Sequence, residues 1–175
     1  MPPGTTWLRQ VHGATVVEVT EPGEHAGAEA DAAFTRRRGC TLAVRTADCA
    51  PLVLVSESAI AVVHAGWRGL ADGVIQATAR AMGPIVEAHI GPHIRRGCYE
   101  FGAGDLDEVS SALGDHVRAT TNWGTPALDL TEGVRRLLGG ARLHDTGACT
   151  ACTDLFFSWR ARADQARFAT LAWLD

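Results

Sequence analysis

Leu52-Val53-Leu54-Val55 runs into Ser56-Glu57-Ser58 and on into Ala59-Ile60-Ala61-Val62-Val63-His64. Two β-rich apolar runs around a short polar turn read as a hairpin. A turn centred near Ser56 and Glu57 sets Cys49 opposite His64, or one position out of register. Directly opposed residues on an antiparallel pair have Cβ atoms about 5 Å apart, near enough to share a metal or a proton.

On either side of the hairpin stand Thr46-Ala47-Asp48-Cys49-Ala50-Pro51 and Val63-His64-Ala65-Gly66-Trp67-Arg68-Gly69, and far upstream lies Gln10-Val11-His12-Gly13. These segments place two histidines and a cysteine beside small, turn-forming residues. That is the ligand inventory of a zinc centre with three protein ligands and an open fourth position, which makes zinc catalytic rather than structural. The plainer alternative makes His12 and His64 satisfied polar residues and Cys49 a small buried hydrophobe. Spacing alone does not bring His12 to the other two.

Further β-like runs fall near 7–11, 15–20, 31–35, 41–46, 51–55, 59–64, 85–90, 141–145 and 168–173. Leu70 to Met82 reads as one helix, with Leu70, Val74, Ile75, Thr78 and Met82 on one face and Gly83-Pro84 as the stop. A second helix is expected near 104–119, with Leu106, Val109, Leu113 and Val117 as its apolar stripe. A third begins at Asp129, whose N-cap role is supported by Glu132 three residues on. No linker or repeat divides the chain, and the element order is too mixed for a parallel βαβ sheet. The expected fold class is α+β: one domain over 1–175, a layered sandwich of mixed β-sheets with outer helices.

Composition narrows the chemistry. At 175 residues the chain suits one domain with a real core. The net charge of −4, with scattered signs, gives no basis for nucleic-acid binding. Arg36-Arg37-Arg38 reads as a solvated turn before Gly39. All 16 basic residues are arginine, so Schiff-base chemistry, a lysine general base and a P-loop lysine are excluded. Any phosphate must be held by arginine, backbone amides or a metal, and the bidentate guanidinium suits that task. No apolar run approaches the roughly 20 residues of a membrane span, and no basic-then-apolar secretion signal opens the chain. The expected location is cytoplasmic, with no membrane partner. Five cysteines without such a signal argue against a disulfide framework. Cys149-Thr-Ala-Cys152 has redox or zinc spacing but lacks a companion pair, and reads as incidental thiols.

The three site segments, in this order, resemble the laccase-domain family, whose members are called multicopper polyphenol oxidases, purine nucleoside phosphorylases or peptidoglycan editing factors. Ala30-Asp31-Ala32-Ala33-Phe34-Thr35, Ile90-Gly91-Pro92-His93-Ile94, Cys98-Tyr99-Glu100-Phe101-Gly102, Leu128-Asp129-Leu130, Cys149-Thr150 and Phe156-Phe157-Ser158-Trp159-Arg160 extend the resemblance nearly end to end. It implies His12, Cys49 and His64 as zinc ligands and a layered α/β sandwich. It also implies a purine nucleoside enzyme that combines phosphorolysis with adenosine deamination, its partners being a small-molecule nucleoside and phosphate. Family members usually carry a further portion before Gln-Val-His-Gly, with a Gly-Gly-Val-Ser-like turn. Here Gln10 comes almost at once, so a segment that would add groups to the site is expected to be missing.

Zinc on three protein ligands lowers the pKa of a bound water to about 7, which suits displacement of the amino group at C6 of adenine. The His-x-Glu and Pro-Cys-x-x-Cys signatures of zinc nucleobase deaminases do not occur. For phosphorolysis, Arg68 is the first candidate phosphate group, set against a structural arginine bonding loop carbonyls; Arg45 and Arg160 come behind it. Asp48 either orients a ligand histidine or makes an Asx-type turn, and Asp31 has the same two readings. Tyr99 either stacks on a base or covers the core. Copper oxidation is the alternative chemistry, since two histidines and a cysteine are a blue-copper set; against it, no His-x-His pair occurs, and only Met1 and Met82 could be axial ligands. Two further alternatives are a Cys49 nucleophile with His64 as base, in an amidase acting on peptidoglycan precursors, and a non-catalytic truncated module.

Overall fold

A computed structural model describes residues 1–175. In chain order the first half holds β1 (Thr5–Trp7), β2 (Val16–Glu18), β3 (Ala32–Thr35), β4 (Thr41–Thr46), β5 (Ala50–Val55), β6 (Ile60–Ala65), α1 (Trp67–Ala71) and α2 (Val74–Met82). The second half holds β7 (Glu87–Ile90), α3 (Ala103–Leu113), β8 (Arg118–Thr120), β9 (Pro126–Leu128), α4 (Leu130–Leu137), β10 (Arg142–Asp145), α5 (Trp159–Arg162) and β11 (Phe168–Ala172).

The β5–β6 hairpin is the centre of a six-stranded mixed sheet of order β10-β7-β5-β6-β3-β2. A three-stranded sheet, β1-β4-β11, lies against one of its faces, and the helices cover the other. Strands buried on both faces read as continuous apolar runs rather than alternating ones, which is why 50–55 and 60–65 look alike in sequence. Their side chains still alternate in destination. Leu52, Leu54, Ala61, Val63 and Ala65 enter the large core under the helices. Val62 enters the smaller core, with Ala33 of β3 and Leu42 and Val44 of β4, and Val53 packs against it. The period of 2 then sends His64 to the same face as Val62, and Asp31 to the same face as Ala33. The expected architecture, a single-domain sandwich of mixed sheets with outer helices, is the one found.

Local expectations differ in several places: the strand expected over 7–11 lies at Thr5–Trp7, and α5 had no expected counterpart. The hairpin turn spans Ser56 to Ala59, where the Ser56 amide donates to the Ala59 carbonyl at 2.9 Å. Pro51, not Cys49, therefore faces His64, and the register is shifted by two. The helix expected over 70–82 is broken: Gly73 adopts φ 86°, closing α1 and opening α2. The helix expected over 104–119 ends at Leu113; Gly114 (φ 98°), a 3-10 turn over Asp115–Val117 and β8 replace its last part. Strands β8 and β9, three residues each, were too short to show a period and had no counterpart among the expected strands. Asp129 does cap α4, accepting from the Glu132 amide at 3.0 Å. Glu132 does not return the bond: the Asp129 amide donates instead to the Val117 carbonyl at 2.8 Å, and the Glu132 carboxylate pairs with Arg135 and Arg136.

Candidate metal centre

The site sits at the open end of the hairpin, on the face turned toward the small sheet. His64, the penultimate residue of β6, is buried, with Asp31 beside it on the β3 side: the His64 amide donates to the Asp31 carbonyl at 2.7 Å. Cys49 immediately precedes β5 and is diagonal to His64 across the hairpin. A slip of two residues preserves the face, so the cysteine still reaches the histidine although the expected register was wrong. His12 arrives from a tight turn, and its Nε2 lies 3.9 Å from the Cys49 sulfur. Its ring stands edge-on to that of His64 at 4.8 Å between centroids. The ligand atoms of His12, Cys49 and His64 all lie within 4.8 Å of one another.

Asp31 organises the centre. Its carboxylate takes His64 Nδ1 at 2.7 Å and the backbone amides of His12 at 2.9 Å, Gly13 at 2.8 Å and Val11 at 3.2 Å. One buried carboxylate thus fixes the His64 ring and holds the turn that carries His12, which itself sits at φ 62°. Gln10 secures the near side of that turn by pairing both ends of its amide with the main chain of Arg45, each at 2.8 Å. Asp48 has a different role. At φ 94° it accepts from the Thr150 hydroxyl at 2.6 Å and the Arg160 amide at 2.7 Å, tying the C-terminal segment to the residue beside Cys49. Of the two readings left open for these aspartates, Asp31 takes the first and orients the histidine, while Asp48 takes neither, its carboxylate being engaged by the Thr150 hydroxyl and the Arg160 amide.

The electrostatics follow from these contacts. Burial pushes the Cys49 thiol up, but hydrogen bonds with His12 and His64 outweigh it and bring the pKa down to about 6. Burial pulls His64 down, while its bonds to Asp31 and Cys49 raise it to about 9. A thiolate is the metal-binding form of cysteine, and a cation binding here would displace the proton that His64 shares with Cys49. Room is left by Gly66: a Cβ there would stand 3.0 Å from His12 Cδ2 and 3.2 Å from the Cys49 sulfur. Gly69 serves the same end from α1, since a Cβ would meet the Gly13 carbonyl oxygen at 3.0 Å. These two glycines explain the spacing of the His-Ala-Gly-Trp-Arg-Gly segment, a signal sequence reading registered without its steric cause.

His12, Cys49 and His64 open onto a cavity of about 690 Å³, whose walls include Arg9, Arg45, Arg160, Arg167, Tyr99 and Trp159. Arg68 is not among its lining residues. It lies on α1 with its guanidinium 4.0 Å from the Trp67 ring centroid, a stacking geometry that turns it to its helix neighbour. That corrects its expected position in a turn facing phosphate. Arg45 and Arg160, ranked behind it, do line the cavity. Arg160 Cζ is 5.3 Å from the ring centroid of Tyr99, which is buried and also packs edge-on to Phe101. Arg9 and Arg167 were missed because nothing local distinguishes them from solvated surface arginines.

A mixed-sheet sandwich with a histidine–cysteine–histidine trio at the end of its central hairpin defines a class of fold with a candidate metal site. The chain belongs to the multi-copper polyphenol oxidoreductase laccase family, whose model matches residues 1–175. A Streptomyces coelicolor relative named purine nucleoside phosphorylase is 38% identical over 186 residues, spanning 99% of this chain and 76% of the relative. One from Pseudomonas aeruginosa with the same name is 36% identical over 182 residues, spanning 97% of this chain and 74% of the relative. Among solved structures, a Neisseria meningitidis protein superposes with TM-score 0.88 at 32% identity, covering 99% of this chain and 75% of that one. YlmD from Geobacillus stearothermophilus gives TM-score 0.81 at 29% identity, covering 96% and 72%.

Proposed function

We propose that this chain is a metal-dependent purine nucleoside enzyme: it cleaves adenosine or inosine with phosphate to the free base and ribose 1-phosphate, and deaminates adenosine. The observation that carries the reading is the convergence of His12, Cys49 and His64 on a cavity walled by arginines and aromatic rings. The relatives' names point the same way. The ligand set fits zinc, which takes nitrogen and thiolate donors and, with three of them, keeps one position for chemistry. When bound, zinc supplies Lewis acidity at that position.

The remaining work falls to side chains. Phosphorolysis replaces the bond from C1′ to the base nitrogen with one from C1′ to a phosphate oxygen, so a dianion must be held beside the ribose. Arg45 and Arg160 are the groups for this, since guanidinium binds phosphate through paired donors. Trp159, exposed at the cavity wall, offers apolar ring surface for the purine, and Asp48 holds the Arg160 backbone in place. Asp31 keeps His64 Nδ1 engaged, leaving Nε2 for the metal.

Chromatography of nucleoside, base and ribose phosphate, with and without phosphate, tests the proposal. Base release from inosine should require phosphate. Arg160→Ala should raise the phosphate requirement roughly tenfold or more, the scale of a lost charged hydrogen bond. Arg68→Ala should change it little, and Cys49→Ala should stop both reactions. A folded, zinc-loaded sample releasing no base and forming no inosine from adenosine rejects the enzyme reading.

One other reading has an observation in its favour. The Cys49–His64 pair, with pKa values of about 6 and about 9, would also suit a cysteine nucleophile. Stoichiometric zinc in the purified wild-type chain, lost in Cys49→Ala, would decide against it. The copper oxidoreductase reading gains no axial methionine, since Met82 is buried in the core under α2 and Met1 is exposed on the N-terminal arm.

A further inference from the structure

Three of the five cysteines form a second cluster away from this centre. The sulfur atoms of Cys98, Cys149 and Cys152 lie within 4.8 Å of one another, with Cys98 and Cys152 at 2.9 Å. They come from two segments about fifty residues apart, so no local spacing brings them together. All five cysteines are free thiols.

The scaffold under the cluster is fixed without help from the sulfurs. The His93 amide donates to the Ala148 carbonyl at 3.4 Å, and the Thr150 amide donates to the His93 carbonyl at 3.1 Å. The side chain of His93 is itself buried between the Gly91 carbonyl and the Thr131 hydroxyl, at 2.8 Å and 2.9 Å. The Cys98 amide donates to the Arg95 carbonyl at 2.8 Å, closing the turn that presents its sulfur. The Arg95 amide donates to the Cys149 sulfur at 3.4 Å, a contact that favours the thiolate.

We propose that Cys98, Cys149 and Cys152 form a second metal site, binding one thiophilic closed-shell cation, zinc or copper(I), through three thiolates. Sulfurs bound at about 2.3 Å to one ion stand about 4 Å apart, so modest side-chain rotation suffices. Soft thiolate donors select these ions over magnesium or calcium. Binding releases the thiol protons to solvent, and no oxidant or reductant is needed. No fourth histidine, cysteine or carboxylate joins the trio, so the remaining position is left to water or a small thiol. The site joins the turn leading to Tyr99 with the loop that reaches Asp48 through Thr150. Both segments then continue into walls of the cavity over the first centre, which a bound ion would stiffen.

The test uses the full chain and two variants, His12→Ala/Cys49→Ala/His64→Ala and Cys98→Ser/Cys152→Ser, each exposed anaerobically to zinc or to copper(I) and then to a mild chelator. Wild type should retain two equivalents of metal and each variant a single one. Cobalt(II) in the first variant should give a sulfur charge-transfer band, which separates this site from the exposed Glu87, His89 and His144 group that has no thiolate. Whichever of zinc and copper(I) survives the chelator identifies the ion. As a check that needs no variant, Cys98 and Cys152 in the wild-type protein should alkylate at least tenfold more slowly once metal is bound. The proposal is overturned by a first variant that retains neither ion, by alkylation rates indifferent to metal, or by mass spectra showing Cys98 and Cys152 already cross-linked in protein purified under reductant.

Discussion

Asp31 has four hydrogen bonds at one carboxylate, and all of them serve the two histidines. Replacing it with asparagine keeps the shape but removes the charge that fixes His64. Asp31→Asn should weaken zinc binding roughly 10–100-fold, the usual scale for losing a carboxylate behind a ligand histidine. Competition against a chromophoric chelator measures this. An unchanged affinity would mean that His64 is not a ligand. Gly66→Ala probes the same centre sterically. Its backbone is extended (φ −76°, ψ 164°), which alanine adopts freely, so the added methyl acts only through His12 and Cys49. Zinc affinity should fall while the melting temperature stays close to wild type. Sequence named the three candidate ligands, but left Asp31 undecided because a carboxylate beside apolar residues looks the same whether it caps a turn or holds a ring.

At the scale of elements, the break between α1 and α2 has a steric origin. Helix α1 must lie close against the His12–Gly13 turn, as Gly69 permits, while α2 must cover the sheet with Val74, Ile75 and Met82. One straight helix cannot do both, and Gly73 turns the chain at φ 86°. A left-handed residue with a Cβ costs roughly 1–2 kcal/mol, so Gly73→Ala should destabilise the fold by about that amount in urea titration. A neutral outcome would mean that α1 and α2 can merge into the single helix that periodicity suggests. The hairpin is the complementary case: both strands were legible, yet the register was not, because Ser56, Glu57 and Ser58 allow more than one turn. Two-residue periodicity kept the error harmless for the site.

Across the whole molecule, distant segments are pinned by buried or half-buried charges rather than by disulfides. Arg95 binds Asp145 at the end of β10 with two donors and also reaches the Thr131 hydroxyl of α4 at 2.9 Å. Burial raises the Asp145 carboxyl, but the Arg95 hydrogen bonds and the Gly147 amide outweigh it and hold it below the usual carboxylate range. A depressed folded-state pKa contributes stability above the unfolded value of about 3.9 and loses it as pH falls through the lower folded value. Asp145→Asn should therefore lower the melting temperature at neutral pH and leave it nearer to wild type at the acid end of that window. Thermal melts from pH 7 to about pH 3 read the difference. A constant offset across the series would assign the effect to packing instead of charge.

What the sequence determined by itself was local: apolar runs that must become buried strands, glycines that must turn, an aspartate placed to cap α4, and a thiol with two imidazoles as the donors available to a metal. The absence of lysine, likewise, left arginine as the only strong cation for an anionic substrate. Tertiary structure decided what faces what. The convergence of His12 on Cys49 and His64 depends on Asp31 holding the His12 turn against the hairpin, and no periodicity encodes a meeting of segments distant in sequence. The exchange of Arg68 for Arg45 and Arg160 along the cavity has the same cause, since a side chain's direction is fixed by the packing of its element. So has the gathering of Cys98 with Cys149 and Cys152, which spacing presented as one incomplete pair and folding assembled into three.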